Sequence, residues 1–168
     1  MNWKPVLFIC LICIVFSPEF AVGQIGTSPS IIIEGEVLNP LKLSIKDLVK
    51  MQSTQVKVLD MQGKEHVYKG VMLVHILDSA GVTLRKELRG KNLTKYLLLS
   101  APDGYQVVYS LAEIDPEFTD SAVIVAYEVD GHMLPSGEGP FRIVASKDKK
   151  PARWIRELTA VQVLLPKD

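Results

Sequence analysis

Short runs of β-forming residues recur along residues 31–165, and turn-forming residues interrupt them before any run reaches the length of a long helix. Asp103-Gly104, for example, is a typical turn dipeptide between two such runs. Residues 122–127 are the most continuous apolar run, which predicts that they form the buried centre of a sheet. Residues 154–165 fit either a helix or a strand. The predicted strands are residues 31–37, 55–59, 65–68, 96–100, 105–109, 122–127 and 141–144.

Short helices are predicted between these strands. Ser44 is followed three residues later by Asp47, which is the pattern of a capping box at a helix N-terminus. Residues 73–77 carry apolar side chains at helical spacing, and Gly81 ends that segment. Together with the strands, these segments predict one β-rich α+β domain over residues 31–168, with a mixed sheet and small helices.

The N-terminal segment has the pattern of a secretory signal. Residues 6–16 form an unbroken apolar run, and the small residues Ala21 and Gly23 follow it, as at a signal-peptidase site. The run is shorter than the ~20 residues that a membrane-spanning helix needs, although a retained membrane anchor is the alternative interpretation. We therefore expect a cleaved signal peptide over residues 1–23, a flexible lead-in over 24–30, and a secreted or periplasmic protein without a membrane span.

Both cysteines of the chain, Cys10 and Cys13, lie inside this apolar run. Once the signal is removed, the predicted mature chain contains no cysteine. This excludes structural disulfides, thiolate nucleophiles, cysteine-ligated zinc and iron–sulfur clusters from residues 24–168. No Arg-Arg pair precedes the apolar run, so the general secretory route is favoured over the twin-arginine route.

The charge balance and the known catalytic motifs argue against several protein classes. The chain has 19 Lys and Arg against 19 Asp and Glu, a formal net charge of +0, which argues against nucleic acid as a partner. It contains neither a G-x-S-x-G elbow nor a phosphate-binding glycine loop. His75 fits a helix face, whereas His132 lies in a loop rich in glycine and proline and is a candidate site residue. No catalytic residue and no metal ligand is predicted.

A basic stretch near the C-terminus is the strongest binding signal. The loop that contains Gly139 is followed by Arg142, and Lys149, Arg153 and Arg156 lie downstream. Glycine allows a ligand to approach the backbone amides, and guanidinium groups bind phosphate in a bidentate manner. The stretch predicts an anion-binding edge, with a solvated basic surface as the alternative.

The order of several motifs resembles the molybdopterin-binding domain of the sulfite oxidase family. The motifs that carry the resemblance are Tyr68-x-Gly70-Val71-x-Leu73, Gly139-Pro140-x-Arg142-Ile143-Val144 and Arg153-Trp154-Ile155. The resemblance covers nearly all of the predicted mature chain and implies a β-rich mixed fold. It also implies that the phosphate of a molybdopterin cofactor would be held by Arg142, Arg153 and Lys149, beside the loop with Gly139 and His132.

One departure from the family is large. Family enzymes bind molybdenum through a cysteine thiolate that precedes the Tyr-x-Gly-Val segment, and residues 55–60 contain no thiol. Our leading hypothesis is therefore an exported protein of this fold that is not a working molybdenum enzyme. It would bind a small anionic ligand or a protein partner. Two alternatives stay open: a molybdopterin-dependent oxidoreductase with a non-cysteine metal ligand, and arginines that only anchor loops through carboxylates such as Glu138 or Asp148.

Overall fold

The computed structural model describes Met1 and residues 28–167. Apart from Met1, the predicted signal peptide lies outside the described residues, as do both cysteines and residues 24–27 of the expected lead-in, so cleavage and export stay predictions. Within the described part, no helix is both long and apolar enough to cross a bilayer. The strands are β1 Ser30–Gly35, β2 Leu41–Ser44, β3 Ser53–Leu59, β4 Glu65–Met72, β5 Tyr96–Ser100, β6 Gln106–Ser110, β7 Val123–Val129, β8 His132–Met133, β9 Arg142–Ala145 and β10 Ala160–Leu164. The α-helices are α1 Ile45–Lys50 and α2 Leu73–Ser79, and the remaining helical segments are short 3₁₀ turns.

The strands form two sheets. The first has the order β2-β1-β10-β5-β6, in which β1 and β10 run parallel and the other pairs are antiparallel. The second is antiparallel and has the order β3-β4-β7, with β8 and β9 both pairing with the free edge of β7. This sheet-rich arrangement with two short helices confirms the predicted fold class.

The main hydrophobic core lies between the two sheets, and strand alternation explains how it is filled. Along β7, Val123, Val125 and Tyr127 point into this core, where they meet residues of the first sheet such as Leu99 and Val161. The side chains of the neighbouring β7 positions point the opposite way. The second sheet therefore has an inner face on the main core and an outer face of its own.

The outer face of the second sheet carries a smaller apolar cluster. Ile124 and Ala126 of β7 pack there with Tyr68, Val144 and Leu134. Loops between β8 and β10 lie over this face and cover only part of it. The uncovered part forms the candidate site.

Most sequence-predicted elements are present, and the differences involve short segments. The predicted centre of a sheet is β7, which is paired on both edges. The capping box at Ser44 is formed. The backbone amide of Ser44 donates to the Asp47 carboxylate at 2.9 Å, and the Ser44 hydroxyl donates to the same carboxylate at 2.7 Å. β2 and β8 were not predicted as strands, since segments this short acquire strand structure through hydrogen bonds to distant partners. Residues 154–165 fitted either a helix or a strand, and the structure has the strand β10 at residues 160–164.

Candidate ligand-binding site

A cavity of about 410 Å³ opens over the outer face of the second sheet, and we call it cavity 1. The sheet supplies its floor through Val58, Tyr68 and Val129, one residue from each of the strands β3, β4 and β7. The loops that follow β8 and β9 supply the facing wall, which includes Pro135 and Trp154. Tyr68 and Trp154 meet edge to face with their ring centroids 6.4 Å apart. The site therefore has an apolar, aromatic interior.

Arg142 is the buried cation of cavity 1. It begins β9 opposite Ala126, which directs its side chain to the outer face of the sheet, where only 7% of it is exposed. Its Nη1 donates to the Glu138 carboxylate and, at 3.3 Å, to the Tyr68 hydroxyl. Its guanidinium carbon lies 5.4 Å from the Tyr68 ring centroid and 5.9 Å from that of Trp154. Cation–π contacts and one carboxylate thus hold Arg142 in place.

Two buried donors at this site have no acceptor within residues 28–167: Nε of Arg142 and Nε1 of Trp154. Buried polar groups are nearly always hydrogen-bonded, because an unpaired donor loses its bond to water without compensation. Burial also raises the pKa of the Tyr68 hydroxyl, which the nearby Arg142 charge partly offsets. At neutral pH, Tyr68 is therefore a neutral donor and acceptor.

His66 joins two turns at the rim of cavity 1. Its Nδ1 lies 2.7 Å from Asp130 Oδ2 and its Nε2 lies 3.4 Å from Asp60 Oδ2. Asp130 also accepts the Val67 amide, and Asp60 accepts two amides of its own turn. The hydrogen bond to Asp130 is the largest influence on the ring, and together with Asp60 it raises the pKa of His66 despite partial burial. The pKa values of both carboxyls are lowered, since each accepts hydrogen bonds in its charged form.

The carboxylates that line cavity 1 are all paired, whereas two of its cations have no carboxylate partner among residues 28–167. All four carboxylates that line it are already held by nitrogen donors: Asp60, Asp130, Glu138 and Asp148. Two cations that line it, Lys149 and Arg156, have no carboxylate partner among residues 28–167. Both are exposed. Available charge at the mouth of cavity 1 is therefore positive.

Arg153 lies in a different environment. Asp148 accepts from its Nε at 3.1 Å and from its Nη2 at 2.7 Å, and Glu113 accepts from its Nη1 at 2.7 Å. The guanidinium stacks 4.3 Å from the Tyr109 ring centroid. Hydrogen bonding to Asp148 raises the pKa of Arg153, and burial raises that of the Tyr109 hydroxyl. We call this group the Arg153 cluster; it lines a separate cavity of about 460 Å³, and of its members only Asp148 also lines cavity 1.

The sequence-predicted site residues are thus only partly brought together. Arg142 and Lys149 line cavity 1, whereas Arg153, His132 and Gly139 do not. His132 is exposed on β8, where it pairs with Val129. Gly139 allows close loop packing, because an added Cβ would lie 2.8 Å from the Leu134 Cβ.

Two residues of the site, Tyr68 and His66, were not expected from the sequence. Arg156 belongs to the basic stretch that predicts the anion-binding edge, and Trp154 follows Arg153 in a family-like motif expected to hold the ligand, whereas Tyr68 lies in a motif without an expected ligand contact. The pairing of His66 with Asp130 spans 64 positions of the chain and has no local sequence signal.

The lining residues do not fit a molybdenum ion held by a protein thiolate. Residues 24–168 contain no cysteine. The stretch from Val58 to Asp60, just before the Tyr68-x-Gly70-Val71 motif, does line cavity 1, but its acidic group is already bonded to amides and to His66. Within the described residues, no three His, Cys, Asp or Glu side chains are placed to hold a metal ion.

Comparisons with known proteins place the fold. Residues 27–164 match the family model described as the oxidoreductase molybdopterin binding domain. Among solved structures, the sulfane dehydrogenase SoxCD from Paracoccus pantotrophus is similar, with a TM-score of 0.63 and 18% sequence identity. The match covers 80% of this chain and 38% of that one, so this chain spans well under half of that protein's length. At this identity the likeness concerns the fold alone. No curated protein matches the chain.

Proposed function

The chain belongs to the family of oxidoreductase molybdopterin-binding domains, and we propose that its domain is a binding module for an anionic ligand and not a working molybdenum enzyme. The charge pairing in cavity 1 carries this proposal. Every carboxylate that lines the cavity already has a donor, whereas Lys149 and Arg156 have no carboxylate partner among residues 28–167. An anionic group would satisfy these two cations without displacing any existing ion pair.

The two cations are suited to different parts of this recognition. The planar guanidinium of Arg156 can bind a carboxylate, sulfonate or phosphate in a bidentate manner, whereas the ammonium of Lys149 acts as a point charge. In the interior of cavity 1, the rings of Tyr68 and Trp154 and the side chain of Val58 can contact an apolar or flat part of the ligand. Its volume falls in the range of ligand sites for small molecules, about 300–1,000 Å³. The expected ligand therefore has an apolar body and an anionic group.

Arg142 does not supply this charge in the proposed site, because Glu138 already neutralises it. The Glu138 carboxylate occupies the position that a ligand anion would otherwise take on Arg142. The ligand's anionic group is then bound at the mouth of cavity 1, and its uncharged part lies inside.

A fluorescent anion with an apolar body, dansyl-ε-aminocaproate, tests the proposal. Wild-type protein should enhance and saturate its fluorescence. Arg156→Ala should weaken the affinity about tenfold and Lys149→Ala about threefold, as expected for loss of a bidentate and a point-charge contact at a partly exposed site. Lys147→Ala is the matched control, since Lys147 is an exposed lysine of the same loop that does not line cavity 1.

Two outcomes would overturn the proposal. One is an equal loss of affinity in Lys147→Ala and Lys149→Ala, which would mean that the probe senses only overall charge. The other is stoichiometric molybdenum in protein purified from its native compartment, measured by elemental analysis. That result would favour the alternative, a molybdopterin-dependent oxidoreductase with a non-cysteine metal ligand.

A further inference from the structure

A second cavity of about 350 Å³ adjoins the first, and we call it cavity 2. Pro151, Trp154 and Arg156 line both cavities. The other side of cavity 2 is built by Asp103 and Tyr105 of the turn between β5 and β6 and by residues beside Arg156. One cation without a carboxylate partner in the described chain, Arg156, therefore lies where the two cavities meet.

Besides Arg156, cavity 2 contains two carboxylates, whereas the carboxylates of cavity 1 are all paired. Its carboxylates are Asp103 and Glu157, both on exposed residues. Among the described residues, Asp103 accepts only the amide of Tyr105 in its own turn, at 2.9 Å. Neither carboxylate has a cationic partner within residues 28–167. Available charge is thus positive where the cavities meet and negative beyond that point.

The backbone around cavity 2 is held in a fixed shape. Glu157 has a φ of 48°, a left-handed conformation that costs a side-chain-bearing residue free energy. Its amide donates to the Glu138 carbonyl at 3.0 Å, which ties cavity 2 to the Glu138 loop of cavity 1. The Tyr105 hydroxyl donates to the Ala152 carbonyl at 2.7 Å and closes the far wall.

Strain and an unsatisfied donor both point to this region as a binding site. Of the three non-glycine residues with positive φ in the described chain, Asp130 lines cavity 1 and Glu157 lines cavity 2. The buried Nε1 of Trp154, on the residue shared by both cavities, has no acceptor among residues 28–167. Strained backbone and unsatisfied polar groups concentrate at functional sites.

We propose that the two cavities together form one site for a molecule with a free α-amino-carboxylate head and an apolar side chain. This rests on the proposed function, since cavity 1 must bind the apolar part. The carboxylate of the head binds Arg156 at the junction. The α-ammonium group donates to Asp103 and Glu157 in cavity 2. The apolar side chain lies in cavity 1 against Tyr68 and Trp154.

Two probes that differ only in the α-ammonium group test this inference with the full chain. Nε-dansyl-lysine carries the complete head, and dansyl-ε-aminocaproate lacks the ammonium group. Wild-type protein should bind Nε-dansyl-lysine about five- to tenfold more tightly, the range expected for one charge-assisted contact at a partly exposed site. The double variant Asp103→Asn/Glu157→Gln should lose this preference and retain its affinity for dansyl-ε-aminocaproate within about twofold.

Glu36→Gln is the matched control, because Glu36 is an exposed carboxylate that lines neither cavity, and it should keep the preference. Equal affinity of wild-type protein for the two probes would overturn the inference, as would a preference that survives in the double variant. In both cases, Arg156-dependent binding of dansyl-ε-aminocaproate would leave the proposed function standing. If neither probe binds, both proposals are overturned.

Discussion

Arg142 and Arg153 belong to one family-like sequence region, yet their surroundings differ in a way that indicates different roles. Arg153 is bonded to two carboxylates, stacks on Tyr109 and has more than a third of its side chain exposed. Arg142 is almost fully buried, faces a cavity, has one carboxylate and retains an unpaired Nε. A cation with two carboxylate partners has no need of a ligand. Arg153 therefore fits a loop anchor, and cavity 1 fits a binding site.

This contrast supports in part the alternative that arginines anchor loops. The carboxylates named for that role, Glu138 and Asp148, do contact Arg142 and Arg153 respectively. The anchoring explanation accounts for the Arg153 cluster, since the bond between Asp148 and Arg153 joins two positions of the segment that follows β9. It does not account for Lys149 and Arg156, which line cavity 1 without a carboxylate partner in the described chain.

Glu138→Gln should separate the roles of the two arginines most strongly. The change removes the carboxylate beside a buried guanidinium, and breaking such a pair costs about 3 kcal/mol of the free energy of unfolding. The change also leaves the positive charge of Arg142 without its carboxylate partner and available to an anion. The affinity for dansyl-ε-aminocaproate should therefore rise at least fivefold. Chemical denaturation and fluorescence titration measure the two effects, with Glu36→Gln as control. Lower stability with unchanged affinity would show that Arg142 does not act on a ligand in cavity 1.

A smaller effect is expected from Arg153→Ala in the Arg153 cluster. Its ion pairs are partly exposed and screened, so their loss, with the stacking on Tyr109, should lower the free energy of unfolding by about 1–2 kcal/mol. Affinity for dansyl-ε-aminocaproate should stay within about twofold of wild type. Arg89→Ala, at an exposed arginine without an ion pair in the described chain, should change neither quantity. A large loss of affinity in Arg153→Ala would break the distinction between the two arginines.

The smallest effect is the pH dependence that His66 gives to the rim of cavity 1. The pKa of His66 is raised, chiefly by its hydrogen bond to Asp130. Its stabilising contribution is therefore fully present below the unfolded pKa of about 6.5 and is lost as pH rises through the higher folded value. The melting temperature of wild-type protein should fall slightly relative to that of His66→Gln between about pH 6 and pH 8. Parallel curves for the two proteins would contradict this role.

The fold was largely predictable because its signals are local. Alternating apolar residues, turn dipeptides and the Ser44–Asp47 capping box act within a few positions, and the strands and α1 formed as expected. Even the contact between Glu138 and Arg142 spans only four residues. Short strands such as β8 escaped prediction because their structure comes from pairing with β7 and not from their own side chains.

The order of residues is enough to predict a β-rich α+β domain of this family and a chain from residue 24 onward without a cysteine thiolate. Which charges are paired and which are available to a ligand follows from the three-dimensional arrangement. Arg153 meets Glu113 across 40 positions and His66 meets Asp130 across 64. Ion pairs depend on separations of a few ångströms in space, and chain order does not specify such separations between distant segments. The stretch from Arg142 to Arg156 was therefore recognisable as basic, but its division into an anchor and a binding site was not.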